Sequence, residues 1–178
     1  MTKPDFDSIL GTTLGYEGGY NPKDPSNKGI HQKTYDAWRT SMKLPKQDVR
    51  NISNDELKTI YKREFFESPK YDKLPHGVAG LMFDFGVNAG PGNATKVLQK
   101  IVGAKTDGVL GPNTQFAVEK FIVDNGEEAL KERLYNSRIK YAQLRVQQNP
   151  ENEQYLKGWT NRINSIRQKY SSKNKGLV

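Results

Sequence analysis

The sequence predicts an all-α protein of about eight helices, and three observations carry that prediction. Apolar residues recur at three- and four-residue spacings through most of the chain, the mark of amphipathic helices. No alternating apolar and polar run is long enough for a confident strand. Helix punctuation recurs between the periodic segments: a capping box at Ser53-Asn54-Asp55-Glu56, prolines in first turns and glycine breaks.

The elements follow in order. Phe6, Leu10, Leu14 and Glu17 recur at four, four and three residues, with Ile9 and Thr13 flanking the same face. Gly18 and Gly19 are expected to end that helix. The loop to Gly29 holds Pro22, Asp24 and Pro25 and is turn-rich, with at most a small hairpin near residues 20–30. Ile30 to Met42 reads as a helix with Tyr35, Trp38 and Met42 inward. The capping box opens another, with Leu57, Ile60, Tyr61 and Phe65 on one side, stopping before Pro69. Val78 to Val87 is almost wholly apolar and is expected to be the central buried helix. Asn88 to Gly92 breaks it, and a shorter helix follows with Val97, Leu98, Ile101 and Val102 inward. Asp107-Gly108 is a turn. Gly111-Pro112 starts a helix carrying Phe116, Phe121 and Ile122. Leu130, Leu134 and Tyr141 mark a long helix from about Glu127 to Gln147. Asn149-Pro150 starts the last, with Tyr155, Leu156, Trp159, Ile163, Ile166 and Tyr170. The small, polar, basic tail from Ser171 is expected to fray.

Length and composition bound the function. A chain of 178 residues fits one domain, or one with a small appended lobe. No apolar run approaches the length that spans a membrane. The N-terminus lacks the continuous apolar region of a secretory signal, so the expectation is synthesis in a cytoplasm. Without cysteine there is neither a disulfide nor thiol chemistry, and two histidines do not suggest a zinc site, so no metal or cofactor is expected. The formal charge of +8 favours polyanionic partners, either nucleic acid or an anionic bacterial envelope. Helix-turn-helix spacing and glycine-aromatic signatures are both missing, which argues against nucleic acid. The absence of heptads predicts a monomer.

Glu17 is the first candidate for chemistry. It closes an apolar helix face in front of two glycines, so it is expected to lean toward the core. Burial among apolar neighbours disfavours the charged form of a carboxyl and raises its pKa, and a protonated carboxyl can act as a general acid. The competing reading is an exposed glutamate at an ordinary helix end. Tyr20 adds a ring and a hydroxyl suited to a sugar-like ligand.

Three motifs in order carry a resemblance: Glu17-Gly18-Gly19-Tyr20 with Gly29-Ile30 and Thr34-Tyr35-Asp36-Ala37-Trp38; Phe83 to Pro91; and Asp107 to Thr114. Together they resemble glycoside hydrolase family 108, bacterial and phage N-acetylmuramidases with a lysozyme-like helical fold. The resemblance covers nearly the whole chain. It implies a muramidase region over residues 1–85 and a peptidoglycan-binding helical region over 86–178, packed on the same domain. The chain departs from the family in one place: Ser26-Asn27-Lys28 runs straight into Gly29-Ile30, where members carry a longer loop with a threonine.

What the resemblance implies is hydrolysis of the β-1,4 bond between N-acetylmuramic acid and N-acetylglucosamine in peptidoglycan, with Glu17 protonating the leaving oxygen. Asp24 is the candidate for a second catalytic carboxylate, its other reading being a turn aspartate before Pro25. Asp84 and Asn88, four apart on one helix face, are candidates to hydrogen-bond an acetamido group or to orient Glu17. Asp84 also reads as a buried carboxylate satisfied by backbone amides. Tyr20 is expected to stack on a sugar, to hold Glu17 or simply to pack. His31 falls where a helix cap is wanted. Trp38 and Trp159 lie on apolar stripes and are expected in the core. The basic residues of the last two helices read as a mostly solvated face. Two other functions fit the same features: a non-catalytic peptidoglycan-binding module and a lytic transglycosylase. A wall-degrading enzyme lacking a signal is expected to reach the wall after release, as an endolysin, a virion-borne lysin or an exported toxin.

Overall fold

The helix expected to be central is. In the computed structural model, which describes residues 2–171, α4 spans His76–Ala89 and every residue from Gly77 to Gly86 is buried. A run apolar but for Asp84 leaves no face for water, so such a helix must be surrounded. The elements around it are α1 (Phe6–Leu14), α2 (Gln32–Ser41), α3 (Asn54–Ile60), α5 (Pro91–Val102), α6 (Pro112–Asn125), α7 (Glu127–Gln148) and α8 (Glu153–Tyr170). Thus there are eight α-helices among the described residues, with short 3₁₀ turns between some of them. Ile9 and Leu10 of α1, Tyr35 of α2, Leu130 and Leu134 of α7 and Ile166 of α8 belong to one core with α4. The tail beyond Ser171, expected to fray, lies outside the described residues.

The two tiny strands, β1 (Ser26–Asn27) and β2 (Ile30–His31), form an antiparallel hairpin in which Asn27 pairs with Ile30. Its two loop residues, Lys28 and Gly29, have φ of 49° and 81°. Positive φ at both central positions belongs to the tight two-residue turn that suits a hairpin's twist. The short run into Gly29-Ile30 is therefore the turn itself.

Local signals explain the other elements. Asp5 caps α1 through bonds from the amides of Asp7 and Ser8. The capping box forms as expected: the Ser53 hydroxyl accepts from the Glu56 amide while Glu56 accepts from the Ser53 amide. Pro91 and Pro112 occupy first turns, and Gly90, at φ 84°, turns the chain from α4 into α5.

Three expectations need correction. First, α1 ends at Leu14, before the double glycine. The amides of Tyr16 and Glu17 bond the carbonyls of Thr13 and Leu14, and this tightened turn carries the chain to Glu17. Second, the helix after the capping box becomes π-helical over Tyr61–Glu67. Phe65 packs on Tyr61 at a ring separation of 5.4 Å and is partly buried, while the wider turn also carries Phe66 inward; Phe66 is buried and packs on Phe6 and Phe83 at ring separations of 5.1 and 6.1 Å. Third, Met42, Phe116 and Tyr155, expected inward, are exposed. On α6 the buried positions are Thr114 and Val118.

Candidate active site

Glu17 lies one turn past the end of α1, and its side chain is 14% exposed. Its setting is ionic, which overturns the apolar environment expected for it. Oε1 lies 2.7 Å from Nη1 of Arg162 on α8. Oε2 faces the hairpin turn, where a Cβ placed on Gly29 would stand 2.7 Å away. The Tyr61 hydroxyl reaches the same spot and donates to the Lys28 carbonyl at 2.7 Å. Burial pushes the pKa of that hydroxyl up, and the nearby Glu17 charge adds to the effect. Tyr61 therefore stays a neutral donor.

Arg162 also grips a second carboxylate. Its Nη2 donates to Oδ1 of Asp84 at 2.8 Å, and its Nε contacts both oxygens at 3.2 and 3.3 Å. Its guanidinium carbon lies 5.7 Å from the ring centre of Tyr16. Asp84, on α4, is 0% exposed. Its other oxygen, Oδ2, lies 2.7 Å from Nη2 of Arg138 on α7. The same nitrogen donates to Oδ1 of Asn88, one turn along α4. Glu17, Arg162, Asp84, Arg138 and Asn88 thus form a continuous chain of charges and hydrogen bonds that links the turn after α1 to three helices, α8, α4 and α7.

The charges in this chain hold one another. Burial alone pushes the Asp84 carboxyl up, but the two arginines outweigh it and keep the group below the usual carboxylate range. Burial likewise lowers Arg162, and Asp84 with Glu17 more than compensates, so its pKa lies above the usual value. Burial prevails at Arg138, whose pKa lies below the usual value despite Asp84. A buried charge is tolerated only with such partners. Beyond Asn88, a cavity of about 40 Å³ is lined by Phe85, Arg138, Tyr141, Arg145 and Trp159.

Comparison with known proteins places this geometry. Residues 10–90 match the family Glycosyl hydrolase 108, and residues 93–164 match a family described as Predicted Peptidoglycan domain. The structure is similar to that of Brucella abortus SagA, with a TM-score of 0.77 and 31% identity over 93% of this chain and 92% of that one. The chain belongs to glycosyl hydrolase family 108. No curated protein matches it. Membership makes the protein a glycoside hydrolase on an all-α, lysozyme-like fold.

In this hydrolase the sequence-predicted site residues are only partly brought together. Glu17 and Asp84 are joined through Arg162. Asp84, expected as a substrate contact, is sealed from solvent with both oxygens held by arginines, so it is out of a ligand's reach. Its partners are side chains rather than the backbone amides of the alternative reading. Asn88 is exposed, with its carbonyl oxygen engaged by Arg138. Tyr20 is exposed and carries the Arg50 guanidinium over its ring, 5.3 Å from the centre. Asp24 stands on the turn between Asn21 and Ser26, 67% exposed, with Oδ2 lying 3.4 Å from Nδ1 of His31. His31 occupies the cap position of α2 and makes no side-chain cap bond. Trp38 is buried as expected, while Trp159 is half-buried beneath Arg145, whose guanidinium carbon lies 4.8 Å from its ring centre.

The sequence reading missed Arg138 and Arg162, which it placed on a solvated face. The signal is present in the helix periodicity. Leu130, Leu134, Arg138 and Ala142 form one buried i, i+4 stripe on α7. Arg162 falls three residues after Trp159 and four before the buried Ile166 on α8. A charge on an apolar stripe implies a buried partner, and Asp84 is the lone charge within the apolar run of α4.

Proposed function

We propose that the protein hydrolyses the β-1,4 bond between N-acetylmuramic acid and N-acetylglucosamine in bacterial peptidoglycan, with Glu17 as general acid. Membership of a glycosyl hydrolase family and the match of residues 93–164 to a peptidoglycan domain support the substrate class. The observation that carries the assignment is the position of Glu17. It is anchored between α8 and the hairpin turn yet keeps 14% of its side chain exposed to solvent. Glu17, ion-paired with Arg162 in the free enzyme, takes up a proton from water and passes it to the glycosidic oxygen as the bond to the muramic anomeric carbon breaks; a water molecule adds to that carbon in place of the leaving sugar and gives up a proton in turn. Asp24 is the candidate to activate that water, and Tyr20 and Asn88, both exposed, are the candidates for sugar contacts. The net charge of +8 draws the protein onto an anionic envelope. The enzyme acts on the wall after release from the cytoplasm in which it is made, and it acts as a monomer.

The test is reducing-end release from purified peptidoglycan. The wild type is expected to release reducing ends. Glu17→Gln is expected to keep the fold and to sediment with walls but to release none. Walls that pellet the wild type without release of ends would instead make this a binding module.

One observation favours a second reading. The other carboxylate linked to Glu17, Asp84, is buried and tied to arginines, while Asp24 is paired outward with His31. A site working with a single catalytic carboxyl suits a lytic transglycosylase, in which the muramic 6-hydroxyl takes the place of water and an anhydro end results.

A further inference from the structure

We infer that Arg162 is the positioning residue for Glu17, so that the last helix, whose Arg162 lies within the stretch matched to the peptidoglycan domain, completes the catalytic centre. This inference rests on the reading of Glu17 as the general acid. Geometry carries it. Glu17 follows a glycine-flanked turn and has no helix of its own to fix it, since α1 ends at Leu14. A long side chain on such a backbone needs an outside group to hold one rotamer. The Arg162 guanidinium, 11% exposed, supplies it at 2.7 Å.

Arg162 is itself fixed from the far side. Asp84 takes its Nε and Nη2 atoms, leaving Nη1 for Glu17. Asp84 is in turn held by Arg138, so a rotation of the guanidinium away from Glu17 would break contacts with a fully buried carboxylate. The planar fork of arginine can serve two carboxylates at fixed angles; the single ammonium of lysine cannot. The Tyr16 ring lies beside the guanidinium and limits its freedom further. On the other flank, Gly29 brings the hairpin backbone against Oε2. Glu17 is thereby clamped between a guanidinium backed by Asp84 of α4 and a backbone turn backed by Tyr61. A group held this way meets its substrate already oriented, and small misplacements of such a group cost about 100-fold in rate.

The experiment compares wild type, Arg162→Lys and Arg162→Ala on solubilised peptidoglycan, with crystal structures of the two variants. The expected result is a kcat lower by about 100-fold for Arg162→Ala and about 10-fold for Arg162→Lys, with KM and wall sedimentation near those of the wild type. Added guanidinium ion, kept below denaturing concentration, is expected to restore part of the Arg162→Ala rate and none of the Glu17→Gln rate. In both crystal structures the Glu17 carboxylate is expected to leave its place beside Gly29. Wild-type turnover by either variant overturns the inference, as does a loss that guanidinium leaves unchanged while Glu17 stays in place. If Arg162→Ala does not fold, the rate and structure of Arg162→Lys decide alone. Should the wild type itself release no reducing ends, the proposed activity falls instead, and an unmoved Glu17 in the Arg162→Lys structure is then what overturns the positioning.

Discussion

Gly29 stands so close to Glu17 that a side chain on it would collide with the carboxylate: an added Cβ would lie 2.7 Å from Oε2. The Tyr61 hydroxyl crowds the same point, and φ at Gly29 is 81°. Gly29→Ala therefore meets both backbone strain and a clash. Strain of this kind costs about 1–3 kcal/mol, and in a chain of this length each kcal/mol lowers Tm by about 2–4 °C. Lysis is expected to fall further than stability does, because the clash pushes on Glu17 directly. Calorimetry and a wall-lysis assay on one preparation check this; full activity in Gly29→Ala would show that the turn does not locate the carboxylate.

Asp84→Asn is expected to be among the most damaging single substitutions. It leaves Arg138 and Arg162 partly or wholly buried without their shared counter-charge. Removing one partner of a buried ion pair costs about 3–5 kcal/mol. Thermal unfolding should register a fall in Tm of roughly 6–20 °C. Asp24→Asn, on an exposed turn, is expected to leave Tm where it is; its effect on the rate decides whether Asp24 takes part in the chemistry.

Stability should fall at both ends of the pH scale for nameable reasons. The folded-state pKa of Asp84 lies below that of an unfolded aspartate, mainly because two arginines overcome the effect of burial. Its contribution is present above the unfolded value of about 3.9 and is lost as pH drops from there toward the folded value. Glu56 follows the same sign, its backbone and side-chain bonds from Ser53, Tyr35 and Arg39 outweighing burial. At the alkaline end, burial pushes Tyr170 up to about 12 and raises Tyr61 and Tyr71 as well. An unfolded tyrosine ionises near 10, so stability is full below that pH and declines as pH rises from about 10 to 12. Denaturant midpoints across pH check both limbs, and the acid limb should flatten in Asp84→Asn.

Ser53→Ala removes one half of the capping box. The expected loss is about 1 kcal/mol, read as a shift of the denaturation midpoint. Glu56 also accepts from Tyr35 and pairs with Arg39 at 2.6 Å, so the Arg39 side chain should become more mobile in the variant.

Much of this fold is legible in the sequence because packing faces are periodic and breaks are chemical. The apolar run of α4 could only be buried, and Ser53 with Glu56 could mark only a helix start. The π-helical stretch is not legible: Phe65 and Phe66 are adjacent and alike, and the full burial of Phe66 beside the partly buried Phe65 depends on Phe6 and Phe83 arriving from other elements. At the site, Glu17 stands out because glycines and a tyrosine follow it, yet its environment does not. An apolar stripe points to a greasy setting, whereas Arg162 comes from the far end of the chain. Asp84 and Asn88 share a face as their spacing requires, and both meet arginine there.

The central claim is that Glu17 gives its proton to a glycosidic oxygen of peptidoglycan. Mass spectrometry of the fragments left by wild type and by Glu17→Gln, acting on the same purified sacculi, tests it most directly. The account predicts muropeptides with reducing N-acetylmuramic ends from the wild type and intact sacculi from the variant. The same muropeptides from Glu17→Gln would contradict it.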